Sequence, residues 1–243
     1  MLDPSIPIRV AIRQVDGKEL EVEAAAGSTV HDLKLRVSEV WKMFPECQKC
    51  VAGSEVMDDQ STLAEHLEGG SSELAVTVVF SLDFVLSQLG HHDVAQRQSA
   101  LHMVAELVRR GHLSNDCLDN DERLSTALRW QLDHADASLR RAAIELVLRL
   151  VKSPDESIMA AVAVRLTDIN VYVRRAAIEG LTRLAQSGVA MPDSLVNDVL
   201  ARLDDKDTIV RQWAAEALVR LVPRGDERVI QLLTARLADA PAW

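Results

Sequence analysis

Aromatic residues are scarce in this 243-residue chain: four Trp, three Phe and one Tyr make up 3% of it. A core must therefore be built from aliphatic side chains and Ala, and the Ala, Leu, Val and Arg that dominate the second part suit closely packed helices better than sheets. Cysteine is scarce too. Cys47, Cys50 and Cys117 do not make a disulfide framework, so a reducing, intracellular compartment, the cytoplasm, is the expectation. The most apolar run, Leu74 to Leu89, is 16 residues long and is interrupted by Asp83, too short to span a bilayer. The N-terminal MLDPSIPIRV has no charged-then-apolar leader pattern.

A basic excess is also missing. Lys and Arg number 27 against 37 Asp and Glu, for a net charge of −10; residues 1–80 hold 7 basic and 14 acidic residues, and the remainder holds 20 and 23. Without a Lys/Arg-rich stripe the chain lacks the electrostatic footprint that phosphate backbones require, so neither nucleic acid nor an anionic membrane is an expected partner.

Chemistry-bearing motifs are equally sparse. No phosphate-cradling Gly loop, nucleophile elbow or buried carboxylate pair can be picked out. Cys47-x-x-Cys50 offers two ligands where zinc takes about four, and His31 and His66 have no metal-motif spacing to it. A redox role for that pair needs a different strand-helix context. His91-His92-Asp93 lies on a turn between helices and reads as surface histidines. The expectation is no catalytic residue, no cofactor and no metal.

What the sequence does have is repetition. An Asp or Asn stands four residues ahead of an Arg that opens an apolar helix at Asp93–Arg97, Asp136–Arg140, Asn170–Arg174 and Asp207–Arg211. A Leu sits eight residues before each Arg, at Leu89, Leu132, Leu166 and Leu203. Successive arginines are 43, 34 and 37 residues apart, the range in which self-similarity means stacked helical pairs. The second helix of each pair repeats one buried stripe: Ala143, Ile144, Val147 and Leu150, then Ala177, Ile178, Leu181 and Leu184, then Ala214, Ala215, Leu218 and Leu221. First helices are expected at 124–132, 158–166, 195–203 and 229–237.

Beside the buried stripe runs a charged one, Arg141-Glu145-Arg149, Arg175-Glu179-Arg183 and Gln212-Glu216-Arg220, all at i, i+4 spacing. Such spacing supports a solvated helix face through weak pairs. It also offers ordered rows of charge to a partner protein, as solenoids commonly use their concave face. The longest interval carries its extra residues at 111–120, a lengthened loop. Leu237 takes a first-helix position six residues before the sequence ends, which reads either as a capping helix or as a stretch of a longer array.

The first eighty residues differ. Ile8, Val10 and Ile12 alternate with polar or small residues, Asp16-Gly17 interrupts, and Leu20 and Val22 alternate with Glu19, Glu21 and Glu23, a hairpin signature. Gly27-Ser28-Thr29 supplies a turn and a cap for a helix carrying Val30, Leu33, Leu35, Val37, Val40 and Trp41, which stops near Phe44-Pro45. Short strands flank Ala52-Gly53, Thr62 to Leu67 form a helical turn, and Leu74 to Val78 form a last strand.

In that order and spacing, residues 6–80 resemble the ubiquitin-like family. Conjugating members end in a diglycine directly after the last strand; here Gly69-Gly70 precedes it, which implies a domain that is not conjugated. The resemblance also implies a partner-binding apolar patch on the sheet, near Cys50 and Val79 with Ala52-Gly53 at its rim. Residues 82–243 resemble HEAT repeats, including the short HEAT-like group, through the Asp/Asn-x-x-x-Arg element. That resemblance implies a ladder of hydrogen bonds along the stack carried by Asp93, Arg97, Asp136, Arg140, Asn170, Arg174, Asp207 and Arg211. The iron-dependent hydroxylases of that group carry paired His-Glu motifs, which are absent here; its bilin lyases remain an alternative.

The expected fold class is α+β in two domains: a ubiquitin-like β-grasp domain at 1–80, then an all-α HEAT-like solenoid at 81–243 with four full repeats plus a terminal helix. The expected function is a non-catalytic protein-protein interaction scaffold binding its partner on the concave face. An adaptor of the ubiquitin pathway is the alternative.

Overall fold

A computed structural model of the chain describes residues 3–68, 71–113, 121–150, 156–186, 188, 191–222, 225–227, 229–231 and 234. Gly69-Gly70, most of the lengthened loop with Cys117, and most of the expected helix at 229–237 fall outside them. The chain divides into two compact units, Met1–Ser87 and Gln88–Trp243.

In the first unit the hairpin forms as β1 (Pro7–Gln14) and β2 (Glu19–Ala25), paired antiparallel with Val10 opposite Val22. Gly17 sits in the turn at φ +93, a conformation that costs glycine little. Thr29 accepts the Asp32 amide while the Asp32 carboxylate accepts the Thr29 amide, a capping box that starts α1 (Val30–Trp41). Lys42 in the left-handed region ends the helix just before the expected Phe44-Pro45. β3 (Gln48–Ala52) and β4 (Glu55–Val56) turn at Gly53, and β5 (Glu73–Phe80) closes the sheet in the order β2-β1-β5-β3-β4, with β1 and β5 parallel. A mixed sheet of this order with one helix across a face is a β-grasp.

Its core is aliphatic. Ile8, Val10, Ile12, Leu74, Val76 and Val78 from the central strands cluster with Val30, Leu33 and Val37 of α1. Leu35 and Val40, assigned above to the same helical pattern, lie on the outer side and are 44% and 55% exposed. Helical geometry decides this, because Leu35 is only two residues from Leu33 and so points to a different face.

The boundary falls inside α2 (Asp83–Leu89), and the second unit continues with α3 (Val94–Arg109) and a series of helical pairs: α4 (Glu122–Leu132) with α5 (Ala137–Leu150), α6 (Glu156–Val164) with α7 (Val171–Gln186), and α8 (Asp193–Leu200) with α9 (Thr208–Leu221). The second helices stack in sequence, α3 on α5, α5 on α7 and α7 on α9. Ala143, Ile144, Val147 and Leu150 are fully buried, and so are Ala177, Ile178, Leu181 and Leu184. In α9, Ala214 and Leu218 are buried while Ala215 and Leu221 are half-buried. Each buried Leu or Ile contributes about 1.5–3 kcal/mol, which makes these stripes the main cohesion between repeats.

The contact between α5 and α7 is close. A Cβ on Gly180 would lie 1.9 Å from Leu148 Cδ1, so any side chain there obliges Leu148 to leave its present position.

Candidate functional site

Each second helix begins with the same local device. Asp93 Oδ1 accepts the Ala95 amide at 2.9 Å, Asp136 Oδ1 the Ser138 amide at 2.8 Å, Asn170 Oδ1 the Tyr172 amide at 2.9 Å and Asp207 Oδ1 the Ile209 amide at 2.9 Å. These residues are N-caps, satisfying amides left open by the first turn. The arginine four residues on folds back on the same turn: Arg140 Nη1 donates to the carbonyls of His134 and Ala135, Arg174 Nη1 to those of Asp168 and Ile169, Arg211 Nη1 to those of Asp205 and Lys206.

The bonds between repeats therefore run through acceptors other than the motif's own Asp, which corrects the expectation for the ladder. Arg140 donates to both carboxylate oxygens of Asp168 at 2.7 Å, and Arg174 Nη2 donates to Asp205 Oδ1 at 2.7 Å. Asp168 and Asp205 stand two residues before the N-caps Asn170 and Asp207 and accept their amides. The N-cap carboxylates are occupied with their own helices, so the neighbouring repeat's arginine meets the residue two positions earlier.

A second cation attends each of these carboxylates, Arg165 3.8 Å from Asp168 and Arg202 3.8 Å from Asp205. Burial pushes the Asp168 carboxyl up, but the Arg140 hydrogen bonds, the Asn170 amide and the two arginine charges outweigh it and hold it below the ordinary carboxylate range. Asp205 is held down in the same way, burial being outweighed by the Asp207 amide and by Arg174 and Arg202.

The first two repeats use a neutral version. His91 and His134 take the places of Asp168 and Asp205, each accepting the amide of the following N-cap through Nδ1, at 3.1 and 3.0 Å. Each imidazole thus carries its hydrogen on Nε2. Gln131 takes the place of Arg165: its Oε1 accepts from Arg97 at 3.3 Å, and its amide donates to Leu89 O at 3.0 Å. The sequence signal for this network was the recurring Arg-Leu-x-Asp at Arg165–Asp168 and Arg202–Asp205, matched by Gln-Leu-x-His at Gln88–His91 and Gln131–His134.

The charged stripe lies on the open side of the second helices. Arg141 and Glu145 are 3.8 Å apart and partly exposed, Arg183 donates to Glu179 at 2.6 Å, and Gln212 Nε2 donates to Glu216 at 3.2 Å. Arg175 stacks on the ring of Trp213, its guanidinium carbon 4.4 Å from the centroid, which joins the third repeat to the fourth. Arg149 and Arg220 are exposed. The stripe extends into α3, where Gln98, His102 and Glu106 occupy the equivalent positions. Between α3 and α5 it opens into a cavity of about 200 Å³ lined by Gln98, Leu101, His102, Ala105, Ala142, Glu145, Leu146 and Arg149. Neither Trp213 nor this cavity was anticipated from the sequence pattern.

On the β-grasp sheet the expected apolar patch is corrected by one residue. Cys50 is fully buried in the core, and Val51 takes the outward position, opposite Thr77 on β5 and Val56 on β4. A strand alternates faces with period two, so a one-residue offset exchanges core for surface. Val79 is half-buried on the outward side, and Val56 is 66% exposed.

Cys47 and Cys50 are free and buried, and burial pushes their thiols up to about 12 and about 11. Ser61 and His66 form a 2.7 Å hydrogen bond, but the Ser61 hydroxyl donates to Asp58 O, so His66 Nε2 is the donor and the serine is not activated. Among the described residues, no three His, Cys, Asp or Glu side chains converge as metal ligands, and no helix is long and apolar enough to cross a membrane.

Residues 160–243 match the family model for HEAT repeats. Among solved structures, the chain is similar to the ubiquitin-like domain of Plasmodium falciparum Dsk2, with 24% identity over 31% of this chain and 100% of that one, at a TM-score of 0.29. It is similar also to the ubiquitin of Caldiarchaeum subterraneum, with 18% identity over 30% of this chain and 92% of that one, at a TM-score of 0.28. No curated protein matches it. The HEAT match covers residues 160–243, and the β-grasp of the first unit stands on its own strand order, β2-β1-β5-β3-β4.

Proposed function

We propose that this protein is a non-catalytic scaffold that binds a segment of a partner protein along the concave, second-helix face of its repeats. The observation that carries this reading is the set of parallel rows on that face: Gln98, Arg141, Arg175 and Gln212; His102, Glu145, Glu179 and Glu216; Glu106, Arg149, Arg183 and Arg220. Rows repeated at the same register across four stacked helices present a regular pattern of charge to an elongated ligand. The motif arginines Arg97, Arg140, Arg174 and Arg211 are engaged within the stack, which leaves recognition to the rows beside them.

The test places a photo-activatable amino acid at Val219, on the open side of α9, and at Trp130, on the first helix α4; both positions are exposed. Cross-links should form at Val219, not at Trp130, and should disappear when Arg141, Arg183 and Arg220 are changed together to Glu. Cross-links that survive the triple change would sink the reading.

A second reading, an adaptor of the ubiquitin pathway acting through the first unit, is supported by the outward Val51, Val56 and Val79 on the sheet. It predicts that residues 1–87 bind ubiquitin-domain receptors in titration and that Val51→Asp abolishes the binding.

A further inference from the structure

The geometry points to the cavity between α3 and α5 as the anchor of the binding face, taking one bulky apolar side chain of a partner segment with a carboxylate set beside it for Arg149. This rests on the reading of the second-helix face as the binding surface, and it names the chemistry recognised there.

The molecule supplies its own template. Position for position, the cavity wall formed by Ala142, Glu145, Leu146 and Arg149 corresponds to Trp213, Glu216, Ala217 and Arg220 in the fourth repeat. Opposite it, Gln98, Leu101, His102 and Ala105 correspond to Arg175, Ile178, Glu179 and Thr182 in the third. Between α7 and α9 this groove holds the Trp213 ring, partly buried against the repeat core and covered by Arg175. Between α3 and α5 the ring's place belongs to Ala142, and the wall is lowered further by Ala105, where later repeats carry Leu148, Thr182 and Val219. Two small residues facing each other leave the groove open.

Size and lining choose the occupant. About 200 Å³ is below the roughly 300–1,000 Å³ typical of small-molecule sites and suits a single side chain. The floor of Leu101, Ala105, Ala142 and Leu146 is apolar, and the rim carries Gln98, His102, Glu145 and Arg149. A large apolar residue seated in a pocket and ringed by polar contacts is the usual anchor of a protein interface.

The charge at the rim sets the rest. Glu145 is matched by Arg141, and Glu106 by Arg109 and Arg110, whereas Arg149 is exposed and makes no ion pair among the described residues. Its counterpart Arg183 is held by Glu179 at 2.6 Å. Arg149 is thus the cation at the rim left for a ligand, and a partner carboxylate complements it.

The test is panning of a random peptide library, displayed on phage, against the full chain, with the enriched peptides then titrated by fluorescence anisotropy. Enriched peptides should share one Trp, Phe, Leu or Met next to Asp or Glu. Their affinity should fall at least tenfold in Ala142→Trp, which rebuilds the fourth-repeat arrangement, in Ala105→Leu, and in the surface variant Arg149→Glu, which leaves the packing untouched. Peptides that bind all three variants like the wild type overturn the anchor. If those peptides are instead lost in Arg183→Glu or Arg220→Glu, the face stands and the anchor falls. If nothing is enriched, or no change on this face alters binding, both readings fall.

Discussion

Arg140 and Asp168, 28 residues apart in the chain, are joined by two 2.7 Å hydrogen bonds between the start of α5 and the turn before α7, with side chains only 8% and 3% exposed. A bidentate pair this deep fixes the register of one repeat on the next. Removing one partner leaves the other's charge buried, so Asp168→Ala should cost about 3–5 kcal/mol of unfolding free energy, read by urea denaturation. A loss under about 1 kcal/mol would show that the pair is not a structural tie.

The neutral junction should respond less. Gln131→Ala removes hydrogen bonds to Arg97 and to the Leu89 carbonyl but strands no buried carboxylate, and its cost should be about 1–3 kcal/mol. The same denaturation series checks the ranking, and a cost above that of Asp168→Ala would reverse it.

Acid should act through the ionic junctions. Asp168 and Asp205 are held below the ordinary carboxylate value, so the unfolded chain takes up protons first. Their contribution is fully present above the unfolded value, near pH 4, and is lost as pH falls through the lower folded values. In Asp168→Asn the decline of stability below about pH 4 should be shallower than in the wild type. Parallel curves would remove Asp168 from the acid response.

The cysteines should be silent. With thiols raised to about 12 and about 11, the thiolate fraction of Cys47 and Cys50 at pH 8 is on the order of 10⁻⁴ to 10⁻³, and burial excludes reagent as well. Peptide mapping after iodoacetamide at pH 8 should find both unlabelled in the folded protein and both labelled in urea. Rapid labelling of either in the folded state would reopen a redox role for the pair.

At Gly180 two effects oppose each other. Alanine is the better helix former by about 1 kcal/mol, yet its Cβ would meet Leu148 at 1.9 Å. Gly180→Ala should therefore lower stability by about 1–2 kcal/mol, and Leu148→Ala in the same chain should suppress that loss. Additive effects in thermal denaturation would mean that the helices separate freely there.

Much of the architecture was legible because it repeats or because a local rule forces it. Thr29 followed by Asp32 marks a helix start through bonds made within four residues, and the four Asp/Asn-x-x-x-Arg units announce stacked pairs by recurrence. What escaped depended on direction and on neighbours distant in sequence. Cys50 and Val51 differ by one step in a strand, and no local cue says which faces the helix. Asp168 and Asp205 stand two residues before the more regular motif, whose own Asp or Asn offers the simpler pairing. The Arg-Leu-x-Asp run could have exposed them, and it recurs once more in sequence at Arg236–Asp239. The cavity beside Ala142 arises from two alanines on different helices, a coincidence that a pattern of apolar positions does not register.

The exchange of Gln131 and His134 for the Arg and Asp of later repeats has a mechanical meaning. A stack of units behaves as a spring whose stiffness is set joint by joint. Here the joint between the first two repeats is tied by hydrogen bonds from Arg97 to the uncharged Gln131 and from Gln131 to Leu89 O, while the next two are clamped by buried ion pairs. Under load the array should bend first beside Ala142, so the compliant joint lies where the groove is open.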